Sequence, residues 1–116
     1  MAGSKKYDLE ERTLRFAKNV SEFTKSIQKS LENVEYSKQL IRSSGSVGAN
    51  YIEANEALSK KDFLMRLKIC KKEAKESQYW LNLISCPNSE MKAKEKLIQE
   101  SIELMKIFGA ILSKSI

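Results

Sequence analysis

The segment Phe63–Ile84, FLMRLKICKKEAKESQYWLNLI, gives the clearest indication of the fold. Apolar and small residues recur in it at alternating spacings of four and three, which places them on one side of an α-helix for about six turns. These residues are Phe63, Leu67, Cys70, Ala74, Ser77, Leu81 and Ile84. Ser59 is placed as an N-cap and Pro87 prevents a long continuation. We therefore predict a helix over residues 60–85 with one face in a core.

The same spacing predicts a helix near residues 8–29 and another near residues 89–114. In the first, Asp8 is placed as a cap for a single apolar stripe. That stripe consists of Leu9, Thr13, Phe16, Val20, Phe23 and Ile27. The last helix carries two adjacent apolar stripes, which favours two neighbours, one of them in another subunit.

The second helix, predicted near residues 35–58, crosses the segment Ser43–Gly48, SSGSVG, which by composition is typical of a loop. A phosphate-binding glycine turn is a possible alternative interpretation, but no strand precedes the segment and no Gly-Lys-Ser/Thr follows it. The helical spacing continues through it without a break. Its members are Tyr36, Leu40, Ser44, Val47, Tyr51, Ala54 and Leu58. We predict one continuous helix whose small residues allow close backbone approach, although each glycine costs roughly 1 kcal/mol relative to alanine.

These four helices predict one all-α domain over residues 1–116. The chain is long enough for a single core, and its four glycines and one proline supply few of the turns that an all-β fold requires. Short connections imply antiparallel neighbours, so the simplest arrangement is an up-down-up-down four-helix bundle.

The composition disfavours catalysis. The sequence contains no histidine, which removes the usual general base of serine and cysteine nucleophiles and the Glu-x-x-His ligands of di-iron bundles. We therefore expect a protein that is not an enzyme and uses no cofactor or metal. A magnesium site or acid–base pair built from Glu53, Glu73 and Glu76 remains the alternative.

The location expected is cytoplasmic, without membrane attachment. The amino terminus has no apolar signal segment, and no window approaches the roughly 20 apolar residues of a membrane span. Cys70 and Cys86 lack the spacing of a redox or zinc motif, so we predict two free thiols.

Helix three has two further surfaces beside its core stripe. Residues 60–86 carry seven basic and three acidic residues, more than half of the net charge of +6. Opposite the core lie Lys61, Lys68, Lys72 and Lys75, followed by Tyr79. Between this row and the core lies an apolar strip of Met65, Ile69, Trp80 and Leu83. The strip predicts a homo-oligomer interface. The lysine row predicts a nucleic-acid contact, unless it is only a solvated face.

From about Tyr7 to Leu83 the chain resembles the intervening-sequence proteins of 23S ribosomal RNA, also called four helix bundle proteins. The likeness lies in Gln39–Asn55 (QLIRSSGSVGANYIEAN), Lys61–Phe63 (KDF) and Lys72–Leu81 (KEAKESQYWL). The resemblance implies an up-down bundle assembled into a ring of five, with a link to RNA. A similar fold serves as the accessory protein of reverse transcriptases in diversity-generating retroelements. The polar positions that match the family, none of them catalytic, are Arg42, Ser46, Asn50, Glu53, Glu73 and Glu76.

Together these observations predict an oligomeric binding protein, a homopentamer by resemblance, that contacts RNA or DNA phosphates without base specificity. The alternative is a protein–protein adaptor or structural ring, for instance for a reverse transcriptase, whose basic surface is incidental. On the helical wheel Arg42 and Glu53 lie on one flank of helix two, and Glu73 and Glu76 on a flank of helix three. We expect these flanks to exchange hydrogen bonds and ion pairs within a groove or between subunits.

Overall fold

Four α-helices make up the computed structural model, which describes residues 5–115. They are α1 (Lys5–Lys25), α2 (Leu31–Asn55), α3 (Lys60–Leu83) and α4 (Met91–Ser115), the last preceded by a 3₁₀ turn over Asn88–Glu90. Each helix contacts its sequence neighbour, and α1 also contacts α4, which closes the bundle. The prediction of an all-α four-helix bundle is confirmed.

Contacts at both ends show that neighbouring helices run antiparallel. Glu10 near the start of α1 accepts a hydrogen bond from Asn55 at the end of α2 (2.7 Å). At the other end, Lys94 near the start of α4 donates to the carbonyl oxygen of Ile84, just after α3 (2.8 Å). Short connections therefore give the up-down-up-down order that the sequence predicts.

The core is filled by the stripes that the spacing identified, with one exception: Leu58 is fully exposed, because α2 ends at Asn55 and not at residue 58. The largest side chains that are almost fully buried are Phe16, Phe108, Leu40, Leu67, Leu81, Ile84 and Leu104. At the α2–α3 contact the core residues are small: the hydroxyl oxygens of Ser43 and Ser77 lie 2.8 Å apart, and Cys70 Sγ donates to the carbonyl oxygen of Val47 at 3.4 Å. Small side chains let these two helices approach closely.

Helix α2 is continuous through Ser43–Gly48, as predicted, and neither of its glycines has a positive φ. The two glycines differ in surroundings. A Cβ atom added to Gly48 would lie 2.9 Å from Thr13 Oγ1 of α1, whereas one added to Gly45 would meet nothing within 4 Å. Close helix approach therefore explains Gly48 but not Gly45.

The observed helix ends differ from the predicted ones for local reasons. Helix α1 starts at Lys5, so Asp8 lies inside the helix and is not its cap. The helix ends at Lys25, where a tight turn joins Ser26 N to the Phe23 carbonyl oxygen (3.1 Å). Helix α2 starts earlier than residue 35 because Ser30 is its N-cap and accepts from Asn33 N. The predicted cap at Ser59 is confirmed, since its hydroxyl accepts from Asp62 N at 3.1 Å.

One buried asparagine joins the two connections at this end of the bundle. The side-chain nitrogen Nδ2 of Asn33 donates to the carbonyl oxygens of Gln28 (2.9 Å) and Ser85 (2.8 Å). Its Oδ1 accepts a hydrogen bond from Ser85 N (3.0 Å). The α1–α2 and α3–α4 connections thus share one side chain, which helps to end α3 at Leu83.

Candidate interaction surface

The lysine row predicted on α3 lies on its solvent face. Lys61, Lys68, Lys72 and Lys75 are all exposed, and within residues 9–115 none of them has a carboxylate within ion-pair distance. Tyr79 continues the row and is 59% exposed. The structure therefore brings all five predicted residues onto one accessible face.

Two of these lysines lie on the side of α3 nearer α4. Lys71 packs beside Gly109 of α4, with its Nζ 3.7 Å from the position a Cβ would take there. Lys68 and Lys75 are three residues before and four residues after Lys71, which places them along the same side of the helix. The positive charge thus extends from the outer face of α3 toward α4.

Two of the three acidic residues of α3, Glu73 and Glu76, lie on the flank facing Arg42 of α2, which binds both. Arg42 Nη2 lies 3.2 Å from Glu73 Oε1 and also forms a close ion pair with Glu76. The Glu73 side chain is only 8% exposed. The hydrogen bond that Arg42 donates to Glu76 raises the pKa of Arg42, desolvation partly opposes this increase, and the bond to Glu73 adds to it. The expected ion pairs between the two flanks are therefore present within one chain.

The other polar positions of the family motif divide into two groups. Asn50 accepts a hydrogen bond from Arg66 Nη1 (3.0 Å) and donates to the backbone carbonyl of Ser46 (2.9 Å). Arg66, which the sequence analysis did not single out, also has a buried Nε without a partner in the described part of the chain. Glu53 is exposed and forms no ion pair within residues 9–115.

The apolar strip of α3 is only partly covered. Met65 is 50% and Leu83 38% exposed, whereas Ile69 and Trp80 are half-buried. Trp80 already has partners in the chain: its ring stacks on Tyr36 with 6.1 Å between centroids, and its Nε1 donates to Glu76 (3.3 Å). Met65 and Leu83 are therefore the members of the strip that most clearly lack an apolar neighbour.

A second polar contact, between α1 and α4, was missed by the sequence analysis. Arg12 forms ion pairs with Glu100 (2.7 Å) and Glu103 (2.9 Å). The hydrogen bond to Glu100 is the main cause of the raised pKa of Arg12. Residues 88 positions apart form this contact, and helical spacing within one segment gives no signal for it.

The described residues contain neither a cluster of metal-ligand residues nor a membrane-spanning helix. Within residues 9–115 no three histidine, cysteine, aspartate or glutamate residues lie together in a way that could hold a metal ion. No helix in the described part of the chain is long and apolar enough to cross a membrane. Both cysteines are free thiols, as predicted, with Cys70 buried and Cys86 half-buried.

The fold and these surfaces define a four-helix-bundle protein with an exposed basic face and an adjoining apolar strip. Residues 5–110 match the family of 23S rRNA-intervening sequence proteins. The chain belongs to this family. The match covers nearly the whole chain and confirms the resemblance seen in the sequence.

A solved structure is similar in both sequence and fold. It is a protein of unknown function from the S23 ribosomal protein family of Bacteroides thetaiotaomicron, with 33% identity and a TM-score of 0.72. The match covers 89% of this chain and 96% of the other. No curated protein matches the sequence.

Proposed function

We propose that the protein is a non-enzymatic, oligomeric binding protein that contacts RNA or DNA phosphates through the lysine row of α3 without reading base sequence. The observation that supports this most strongly is the separation of charge on α3. Arg42 holds Glu73 and Glu76 on one flank, so the row opposite the core is left with positive charge alone. Unpaired lysines are suited to phosphate oxygens, because they bind as point charges with little geometric demand.

The dimensions of the row fit a short length of nucleic acid backbone. Lys61 and Lys75 are separated by 14 residues, or about 21 Å at 1.5 Å per residue. At about 3.4 Å per nucleotide along one strand, this corresponds to roughly six phosphates. Tyr79 at the end of the row is exposed enough to stack on an unpaired base.

Self-association is part of this proposal, because one chain offers few phosphate contacts. Each contact with a single strand contributes only about 0.7 to the slope of log affinity against log salt, so binding by one subunit is weak. A ring repeats the row on every subunit and links the contacts. A homopentamer is the assembly that the family resemblance favours.

A second candidate function is a protein–protein adaptor, for which the exposed apolar strip is the specific observation. Met65 and Leu83 next to the lysines create a mixed surface of the kind that protein interfaces use. For this candidate function, the similarity to the accessory protein of diversity-generating retroelements makes a reverse transcriptase the expected partner.

The test is binding of fluorescently labelled single-stranded RNAs of unrelated sequence, measured by anisotropy across a range of salt concentrations. We expect similar affinities for all sequences and a fall in affinity with salt. The double variant Lys68→Glu/Lys75→Glu is expected to reduce binding to every sequence and to flatten the salt dependence.

The matched control is Lys18→Glu/Lys25→Glu, which changes the net charge equally with the same seven-residue spacing on exposed positions of α1. It is expected to retain most of the binding. No binding at low salt, or equal losses in the two double variants, would contradict the nucleic-acid proposal and favour the adaptor.

A further inference from the structure

Helix α2 exposes an apolar face that its own chain does not cover. Val34, Ile41 and Ile52 are 36%, 50% and 50% exposed. Together with Gly45 they follow one another at spacings of seven, four and seven residues, which aligns them along one side of the helix. We call these four residues the α2 face.

Gly45, in the middle of this face, is not required to be glycine by the conformation or the packing of the chain. Its φ is not positive, and a Cβ atom there would meet nothing within 4 Å, so neither backbone conformation nor internal packing requires glycine. A glycine inside a helix is nevertheless unfavourable relative to alanine. A flat site between Ile41 and Ile52 gives an approaching partner room to contact both isoleucines.

The close packing of α2 and α3 fixes which of their residues lie at the same height along the bundle. Tyr36 stacks on Trp80 near one end, and Asn50 binds Arg66 near the other. Between these contacts the two antiparallel helices rise equally per residue, so each position on α2 has a partner level on α3.

The exposed apolar residues of the two helices lie at matching heights. Ile52 lies two residues beyond Asn50, level with Met65, and Val34 lies two residues before Tyr36, level with Leu83. All four side chains are between 36% and 50% exposed. The α2 face and the apolar strip of α3 therefore carry exposed apolar residues at the same heights along the bundle axis, on two different sides of the molecule.

At one end of these two surfaces the neighbouring charges are complementary. Glu56 follows the α2 face by one turn and lies level with Lys61 on α3. Both are exposed, and neither forms an ion pair within residues 9–115. An acidic residue next to Ile52 and a basic residue next to Met65 favour contact between these two surfaces over contact of either with itself.

We infer that the α2 face of one copy docks on the apolar strip of α3 in a second copy, head to tail and with the bundles parallel. This inference rests on the self-association in the proposed function and identifies the surfaces that achieve it. A ring is closed by a pure rotation, which brings together residues at the same height when the axis runs along the bundle. The occupant is therefore another copy of this chain, in which Met65 meets Ile52, Leu83 meets Val34 and Lys61 meets Glu56.

This arrangement takes Lys61 into the subunit contact and leaves Lys68 and Lys75 available to nucleic acid. Met65 and Leu83 lie on the outer face of α3 in line with Lys72, whereas Lys68 and Lys75 lie along the same side as Lys71, which packs beside Gly109 of α4. Substitutions can therefore test subunit contact and nucleic-acid contact separately.

The test uses two variants that each remove one of the two surfaces, Ile52→Asp and Met65→Asp. The wild-type chain is expected to scatter light as several times its 13.3 kDa mass, and each variant alone as a single chain. An equimolar mixture is expected to form a complex of two chains, because one intact α2 face and one intact α3 strip remain available. Ala110→Asp, at an exposed position of α4, is the control and is expected to keep the wild-type mass.

Assembly that persists in both variants would overturn the inference, as would a mixture that remains monomeric.

A second test exchanges the charges: Glu56→Lys or Lys61→Glu alone is expected to weaken assembly, and the double exchange to restore it. Since both positions are exposed, folding is expected to be retained, which circular dichroism checks. A wild-type monomer would overturn both this inference and the oligomeric part of the proposed function, whereas failure of RNA binding by an intact oligomer would overturn only the nucleic-acid proposal.

Discussion

Arg42 of α2 neutralises Glu73 of α3 from outside the bundle, with 3.2 Å between the guanidinium and a carboxylate that is almost fully buried. The arginine itself is 48% exposed, so the two partners pay unequal desolvation costs. Removing the arginine leaves a buried negative charge, whereas removing the glutamate leaves a cation that can turn to water.

We therefore expect Arg42→Ala to lower the free energy of unfolding by about 2 kcal/mol, because an uncompensated charge remains in a poorly hydrated site. Urea denaturation followed by circular dichroism measures the change. Glu73→Gln in the Arg42→Ala background is expected to recover part of the loss. An Arg42→Ala variant as stable as the wild type would show that water or another group compensates Glu73.

The two glycines of α2 are expected to respond oppositely to alanine. Gly45→Ala is expected to stabilise an isolated chain by roughly 1 kcal/mol, since a Cβ meets nothing there and alanine is the better helix former. Gly48→Ala is expected to destabilise it, because the Cβ would lie 2.9 Å from Thr13 Oγ1 and 3.2 Å from Thr13 Cβ. Thermal melts under conditions that dissociate any oligomer compare them; equal shifts in both variants would contradict this account.

The two cysteines are expected to react at very different rates. Burial raises the pKa of Cys70 to about 12, and its thiol donates to the Val47 carbonyl, so little thiolate forms and reagents have poor access. Cys86 is partly exposed. At pH 8 a disulfide reagent is expected to modify one thiol quickly, and the second only as fast as the chain opens. Cys86→Ser removes the fast phase; rapid modification in that variant would contradict the burial of Cys70.

The contact of Arg12 with α4 predicts a dependence on acid. Hydrogen bonds, first from Gln99 and then from Arg12, lower the pKa of Glu103 below its ordinary value. A carboxyl group with a lowered pKa contributes stability above its unfolded pKa, near 4.3, and loses it as the pH falls through the lower folded value. The wild type is therefore expected to lose more stability between pH 5 and pH 3 than Arg12→Gln does. Parallel urea titrations at both pH values measure the difference, and equal losses would assign no acid-sensitive role to this contact.

Most of the fold follows from the spacing of apolar residues, because burial of one stripe per helix depends on local sequence. The helix through Gly45 and Gly48 was predictable for this reason, since its stripe continues across both. The start of α2 was predicted too late because Tyr36 is the first large residue of its stripe, whereas the helix begins directly after its N-cap, Ser30. Asp8 was wrong as a cap because α1 extends upstream to Lys5.

The candidate surface was predictable to the extent that it lies on one helix. The lysines and the apolar strip of α3 follow from a single helical wheel. The roles of Arg66 and Arg12 do not, because their contacts depend on how separate helices are placed. The equal height of Ile52 and Met65 along the bundle likewise could not be predicted, because it depends on the α2–α3 register, which the packing of the two helices determines.

The Asn33 side chain has a consequence for how the molecule opens. Since it holds Gln28 and Ser85 at once, neither connection at that end can detach without releasing the other. Fraying there is therefore expected to be concerted, with the amide proton of Ser85 exchanging at the rate at which the start of α2 unwinds. A single asparagine makes these two distant stretches of chain one cooperative unit, and Asn33→Ala would let them exchange independently.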